Sequence, residues 1–261
     1  METKKGISGF GLKMIAVITM LIDHTAAILV ARLITMRPRW GPVDAGNYES
    51  WYMFYTLLRS IGRMAFPIYC FLLVEGFVYT KNRAKYAARL FVFALISEIP
   101  FDLAFNRTLF EFGYNNVFFT LLIGLLTIMA ADFIQTKLQG EQEGGQMPLS
   151  RRLLQSLLLF FVLLAGCLLA ELVFRCDYGA TGVLAIFILY LLRAHRLFAF
   201  ALAVIELGVL GSSIEFCALL MLFPMYFYNG TRGRQVKYFF YVFYPAHILI
   251  LALICYGIGL G

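Results

Sequence analysis

The chain has 261 residues, of which 61% are hydrophobic, 16% aromatic and only 14% charged, with a formal net charge of +7. A soluble domain carries about 25% charged residues, so no segment reads as a soluble catalytic or binding domain. The positive charge lies in short clusters between apolar runs rather than along one face, which argues against a nucleic-acid partner and fits loops that obey the positive-inside rule.

Several apolar runs approach the roughly 20 residues needed to cross a hydrocarbon core. Lacking the alternation of a barrel, they read as helices. The fold class expected is therefore all-α, a polytopic transmembrane bundle of eight or nine spans forming one domain over 1–261. The spans fall at 12–33, 52–79, 86–104, 115–133, 152–174, 178–192, 196–211, 213–228 and 238–260. The sixth to eighth are short enough to be tilted, half-spanning or wrongly divided.

The start of the chain, with Lys4, Lys5 and Lys13 before an apolar run, resembles a signal peptide. Asp23-His24 interrupts that run and no small-residue cleavage site follows, so it reads as an uncleaved first span. With the N-terminus in the cytoplasm, most of the 22 Lys and Arg residues face inward; only Arg32, Arg37, Arg39, Arg107 and Arg175 fall outside. Nine spans place the C-terminus outside, eight inside. The Gly-rich stretch at about 135–149 reads as a flexible cytoplasmic linker between two membrane halves. The cysteines (Cys70, Cys167, Cys176, Cys217, Cys255) form no CxxC pair, so neither a disulfide framework nor a metal site is expected.

Ionisable residues at bilayer depth cost about 2.5–3.5 kcal/mol each on insertion scales and mark function or packing. In the first span Thr19 and Asp23 share a helical stripe, and His24 lies one step round. Lys13 lies three turns, about 16 Å, before His24 on the same face, with Val17 and Met20 between them. That arrangement predicts a cationic mouth with an imidazole deep below it. The second span runs back with Arg59 and Arg63 one turn apart, and the depth of Arg63 predicts an Asp23–Arg63 ion pair. It ends in Glu75-Gly76. Further polar residues follow: Glu98 and Asp102 in the third span, Asn115 and Asn116 at the start of the fourth, and Tyr241, Tyr244 and His247 in the last. Arg59, Glu98 and Asp102 serve equally well as ion pairs that fix helix packing, and His247 as a hydrogen-bonded packing histidine. Pro67, Pro100, Pro224 and Pro245 read as kinks.

Several of these stretches, LKMIAVITMLIDHTAAIL (12–29), LRSIGRMAFPIYCFLLVEGFVYTKNR (58–83), YAARLFVFALISEIPFDLAF (86–105), NVFFTLLIGLL (116–126), YGATGVL (178–184), YNGTRG (228–233) and KYFFYVFYPAHILIL (237–251), resemble the TraX family. The likeness spans nearly the whole chain, apart from the first external loop and the Gly-rich linker. The DH pair, GRMAFP and FYPAH together carry it.

The resemblance implies an inner-membrane protein that acetylates the N-terminal amine of conjugative pilin. It also implies kinship to membrane acyltransferases that use cytoplasmic acyl-CoA, with a catalytic histidine late in the first span. His24 occupies that position. Arg59, Arg63 and Arg89 correspond to arginines that hold the donor in those relatives, and Glu75-Gly76 stands where they have a serine-glycine pair.

Acyl transfer needs a base, a positioned acceptor and positive charge for the developing oxyanion. These roles are expected of His24 as base, Asp23 as its orienting partner and Arg63 as oxyanion stabiliser or as neutraliser of Asp23. Lys13, Arg83 and Arg89 are expected at the mouth for the phosphates of acetyl-CoA, with Arg59 also on the donor side. The expected acceptor is a peptide, glycan or lipid at the membrane. The competing reading is a proton-coupled transporter or channel built on the same Asp, His, Arg and Glu cluster. A purely structural membrane subunit is a third.

Overall fold

The computed structural model describes residues 5–35, 47–139, 147–234 and 236–261, and among them the chain is helical with two isolated β-bridges. The first helical rod comprises α1 (Gly9–His24), a π-helical segment (Thr25–Val30) and α2 (Ala31–Thr35). A second comprises α3 (Tyr48–Gly62) and α4 (Ala65–Tyr79), followed by α5 (Arg83–Phe105), α6 (Val117–Gln139) and α7 (Leu149–Leu168), which ends in a π-helical turn. Then come α8 (Gly179–Leu191), α9 (Arg196–Glu206) with its own π-helical end, a 3₁₀ segment (Ser213–Met221) continuing into α10 (Leu222–Tyr226), and α11 (Lys237–Gly257).

Among the described residues five helices are long and apolar enough to cross a membrane: Gly9–Thr35, Tyr48–Tyr79, Val117–Leu138, Leu149–Val173 and Tyr238–Gly257. Gly179–Leu191 and Ser213–Tyr226 are shorter apolar helices. The outer surface explains where such helices belong. Leu153, Leu157, Phe160, Phe161, Leu164 and Leu168 of α7 all face outward, and a helix apolar on its outer face as well is at home in lipid rather than water.

Two details correct the sequence reading. The expected second span is broken at Arg63-Met64, where α3 ends and α4 begins. Pro67 explains the break, since it has no N–H to offer the carbonyl of Arg63 four residues earlier. The expected linker at 135–149 begins later, because α6 stays helical through Gln139; its centre, 140–146, lies outside the described residues, as do Arg37 and Arg39.

Arg32, expected among the external cations, is buried at its end of the bundle. It donates to the carbonyls of Leu260 (3.0 Å) and Ala104 (2.5 Å) and lies over the Tyr256 ring. It thereby joins α2 to the C-terminal ends of α5 and α11, where helix carbonyls lack intrahelical partners and attract a cation. At the opposite end of α1, the loop 227–232 is strapped to the N-terminal segment. The Ile7 amide donates to the Phe227 carbonyl and the Ile7 carbonyl accepts from the Asn229 amide, while the Gly9 and Phe10 amides donate to the carbonyls of Thr231 and Arg232.

Candidate functional site

Three polar assemblies occupy the bundle. The first centres on Asp23, buried at the end of α1. Arg59 reaches Oδ2 at 2.5 Å, and Arg63 Nη2 donates to both carboxylate oxygens at 2.9 Å. The expected Asp23–Arg63 pair thus forms, within a larger network. Nη1 of Arg63 also donates to Glu215 of the 3₁₀ segment (3.1 Å) and to the Tyr178 hydroxyl (3.2 Å). Beside it Tyr114 donates to Asp177 at 2.8 Å.

Gly62 makes this approach possible, since a Cβ there would lie 2.2 Å from Cβ and Oδ1 of Asp23. Tyr178, held at a left-handed φ of 63° before α8, stacks on Phe66 and meets Arg63.

This geometry bears on the expected roles of three residues. Asp23 accepts from two arginines, and among the described residues it makes no direct hydrogen bond to His24. The Arg63 guanidinium makes the four hydrogen bonds just named, and Arg59 is turned to Asp23.

The second assembly is a pair of imidazoles. Nδ1 of His24 lies 2.6 Å from Nε2 of His247, and Nδ1 of His247 lies 2.6 Å from the Phe243 carbonyl one turn back along α11. The two rings are nearly parallel, 13° apart with centroids 4.9 Å apart, as a direct nitrogen-to-nitrogen bond in a shared plane requires. Phe243 stacks on His247, and Tyr244 and Phe105 present edges to His24. His24 is the last residue of α1 before the helix opens into a π-helical turn, a distortion that often accompanies functional positions.

The third is a cavity of about 510 Å³ beside the N-terminal half of α1. Lys13, Arg89, Arg232 and Arg234 stand around it, with Glu75 as the carboxylate on its wall. Glu75 is engaged by the Tyr228 hydroxyl (3.1 Å) and faces Arg196 at 3.7 Å. Positive charge therefore outweighs negative, the condition under which a pocket favours a polyanion. Tyrosines 69, 79, 86, 228, 241 and 244 supply much of the wall, and Gly76 lets the Tyr86 hydroxyl approach its backbone, an added Cβ lying 3.0 Å from that oxygen. Met20 and Tyr244 also line the cavity, and the Tyr244 ring centroid is 5.7 Å from that of His24. His24 itself is not on the wall.

Of the expected mouth residues, Lys13 and Arg89 line the cavity and Arg83 does not. Arg83 pairs with Asp132 at 2.5 Å, whose other oxygen accepts from Tyr190, and so ties α5, α6 and α8 together. Asn116, fully buried, donates to Glu98 and to the Ala94 carbonyl while its own oxygen caps the Phe118 amide at the start of α6. Asp102 accepts from Asn106 and from the Glu111 amide, which closes the loop after α5.

Sequence reasoning missed Arg232, Arg234, Glu215, Asp177 and Tyr178 as members of these assemblies. The YNGTRG stretch carried the signal for Arg232 at the cavity, and an acid in an apolar run, Glu215, the signal for a further member of the Asp23 network. Among the described residues no group of three or more His, Cys, Asp or Glu side chains converges on a metal position.

The TraX protein family matches residues 8–255 of the chain. A probable fimbrial assembly protein FimC, serogroup H1, of Dichelobacter nodosus is 30% identical over 269 residues, covering 94% of each chain. No solved structure matches. All three assemblies fall within the matched span, and this chain belongs to the TraX family.

Proposed function

We propose that the protein is a membrane acyltransferase that moves an acyl group, acetyl by family resemblance, from a cytoplasmic acyl-CoA to an amine or hydroxyl at the membrane. The observation that carries this reading is a cavity lined by Lys13, Arg89, Arg232 and Arg234 whose wall includes Tyr244, the ring beside the His24–His247 pair. In this reading the N-terminus lies in the cytoplasm of a bacterium, the chain crosses the cytoplasmic membrane eight or nine times, and the cavity opens to the cytosol.

Lys13, Arg89, Arg232 and Arg234 would hold the donor's phosphates, for which clustered basic side chains are suited. The distance of about 16 Å along α1 from Lys13 to His24 suits an extended thiol arm. His24 removes the proton from the acceptor amine or hydroxyl as that atom attacks the thioester carbonyl. The new carbon–nitrogen or carbon–oxygen bond forms, the carbon–sulfur bond breaks, and the imidazolium returns the proton to the leaving thiolate. Tyr244 must turn aside for the thioester to meet His24. The name of the Dichelobacter nodosus relative and the family's link to pilin favour a pilus subunit as acceptor, with glycans and lipids as the other acceptor classes.

The test is mass spectrometry of membrane proteins, glycans and lipids from cells with and without the gene, combined with transfer of label from radioactive acetyl-CoA into membranes. A lost acyl mass and label transfer abolished by His24→Ala support the reading. A folded His24→Ala protein with full transfer ends the assignment of His24. Ion or solute flux in proteoliposomes without any acyl transfer favours the transporter.

A further inference from the structure

The acyl-transfer reading leaves open what holds the imidazole of His24 in a reactive form, and the hydrogen bonds around it answer that. A carbonyl oxygen can only accept, so the 2.6 Å contact between Nδ1 of His247 and the Phe243 carbonyl places a proton on that nitrogen. A neutral His247 then has a lone pair on Nε2. Nδ1 of His24 lies 2.6 Å from it and must be the donor. The neutral His24 ring is thereby held as the Nδ1–H tautomer, with its basic lone pair on Nε2 at the other side of the ring.

We infer that His247 is a positioning residue that fixes this tautomer of His24 and steadies the ring through the acyl-transfer cycle. The inference rests on the proposed acyltransferase reading, in which His24 Nε2 takes the acceptor proton. Once it does, the imidazolium still donates through Nδ1 to His247, so the positive charge forms against a partner already in place. An outer group that orients a histidine through its far nitrogen is a common way to select the tautomer. Here a second histidine does this rather than a carboxylate, because the neighbouring acid, Asp23, is held by Arg59 and Arg63.

The surroundings favour the arrangement over simple packing. The backbone carbonyl that anchors His247 belongs to its own helix, one turn back, so α11 delivers the ring with its proton already assigned. Phe243 stacks on one face of His247 at 4.6 Å, and the Tyr244 ring stands edge-on to both imidazoles, at 5.7 Å from His24 and 5.9 Å from His247. The ring thus has little freedom to flip and exchange its two nitrogens.

The experiment is nitrogen-15 NMR of the full-length protein with labelled histidines. The chain has three histidines, so each ring can be assigned by single replacement. The expected wild-type spectrum has His24 protonated at Nδ1 and unprotonated at Nε2. In His247→Phe, which keeps a stacking ring and removes the acceptor, His24 should shift toward the Nε2–H form. Label transfer from acetyl-CoA should then fall about a hundredfold or more, the usual scale for a lost acid–base group, in kcat with KM little changed. His247→Gln, whose side-chain oxygen accepts a hydrogen bond, should recover part of both.

A wild-type spectrum with His24 protonated at Nε2 overturns the proposal without any variant being needed. So does a folded His247→Phe protein with unchanged kcat. If the tautomer is as stated but wild-type protein transfers nothing from any acyl thioester, the acyl-transfer reading fails instead, and the two failures are distinguished.

Discussion

Gly62 stands so close to Asp23 that α1 and α3 meet there with no side chain between them; an added Cβ would fall 2.2 Å from Oδ1. Gly62→Ala must therefore push the helices apart or expel the carboxylate from its arginines. Overpacking of this kind costs about 1–3 kcal/mol. Thermal unfolding of the detergent-solubilised protein should show a lowered midpoint, while an alanine at Gly257, which has open space around it, should leave the midpoint unchanged.

Asp23 itself separates structure from chemistry. Removing its charge leaves Arg59 and Arg63 facing a neutral group at a buried position, and breaking a buried pair costs about 3–5 kcal/mol. Asp23→Asn should lower the unfolding midpoint substantially. The fraction that folds should keep His24 in the same tautomer as wild type, read by the nitrogen-15 spectrum, because His247 and not Asp23 contacts the ring. A changed His24 tautomer in folded Asp23→Asn protein would contradict this division of roles.

Arg232 and Arg234 stand at the cavity beside Lys13 and Arg89. Reversing both to glutamate should raise the KM for acetyl-CoA by about tenfold, corresponding to roughly 1.4 kcal/mol, with kcat preserved. The effect should shrink as salt is raised, since exposed charges are screened over about 10 Å at 0.1 M. Reversing Arg83, held by Asp132 away from the cavity, should affect stability and leave KM alone.

Glu206 ends α9 with both carboxylate oxygens buried and without a hydrogen-bond partner among the described residues. A buried charge without a partner is costly, so the neutral amide of the same shape should suit the position at least as well. Glu206→Gln is expected to hold or raise the unfolding midpoint, measured at neutral pH in detergent. A clear loss of stability would mean that the carboxylate is paired in the membrane.

The helical segments were readable from hydropathy because lipid-facing helices advertise themselves by length and composition. Asp23 and Arg63 could be paired because antiparallel neighbours at equal depth leave few other partners for a buried arginine. The His24–His247 contact was not readable: the residues are 223 positions apart, and no local rule says which of several polar groups at one depth will meet. The break at Arg63-Met64 was half-visible, since Pro67 was noted as a kink but its effect on the Arg63 carbonyl depends on register.

Charge counting gave no sign that Arg32 is buried. An arginine near a span end can satisfy the carbonyls at neighbouring helix ends from inside, here those of Ala104 and Leu260. Asp102 and Asn116 are buried and Glu98 half-buried. The amide and backbone partners described for them are set by helix-end geometry that residue type alone does not encode.

The strap between Ile7 and the 227–232 loop couples the front of the chain to the entrance of the cavity. Anything fused immediately ahead of Ile7 pulls on the backbone that carries Arg232. A purification handle attached there would tug at the doorway itself, whereas one placed after Gly261 would leave it undisturbed.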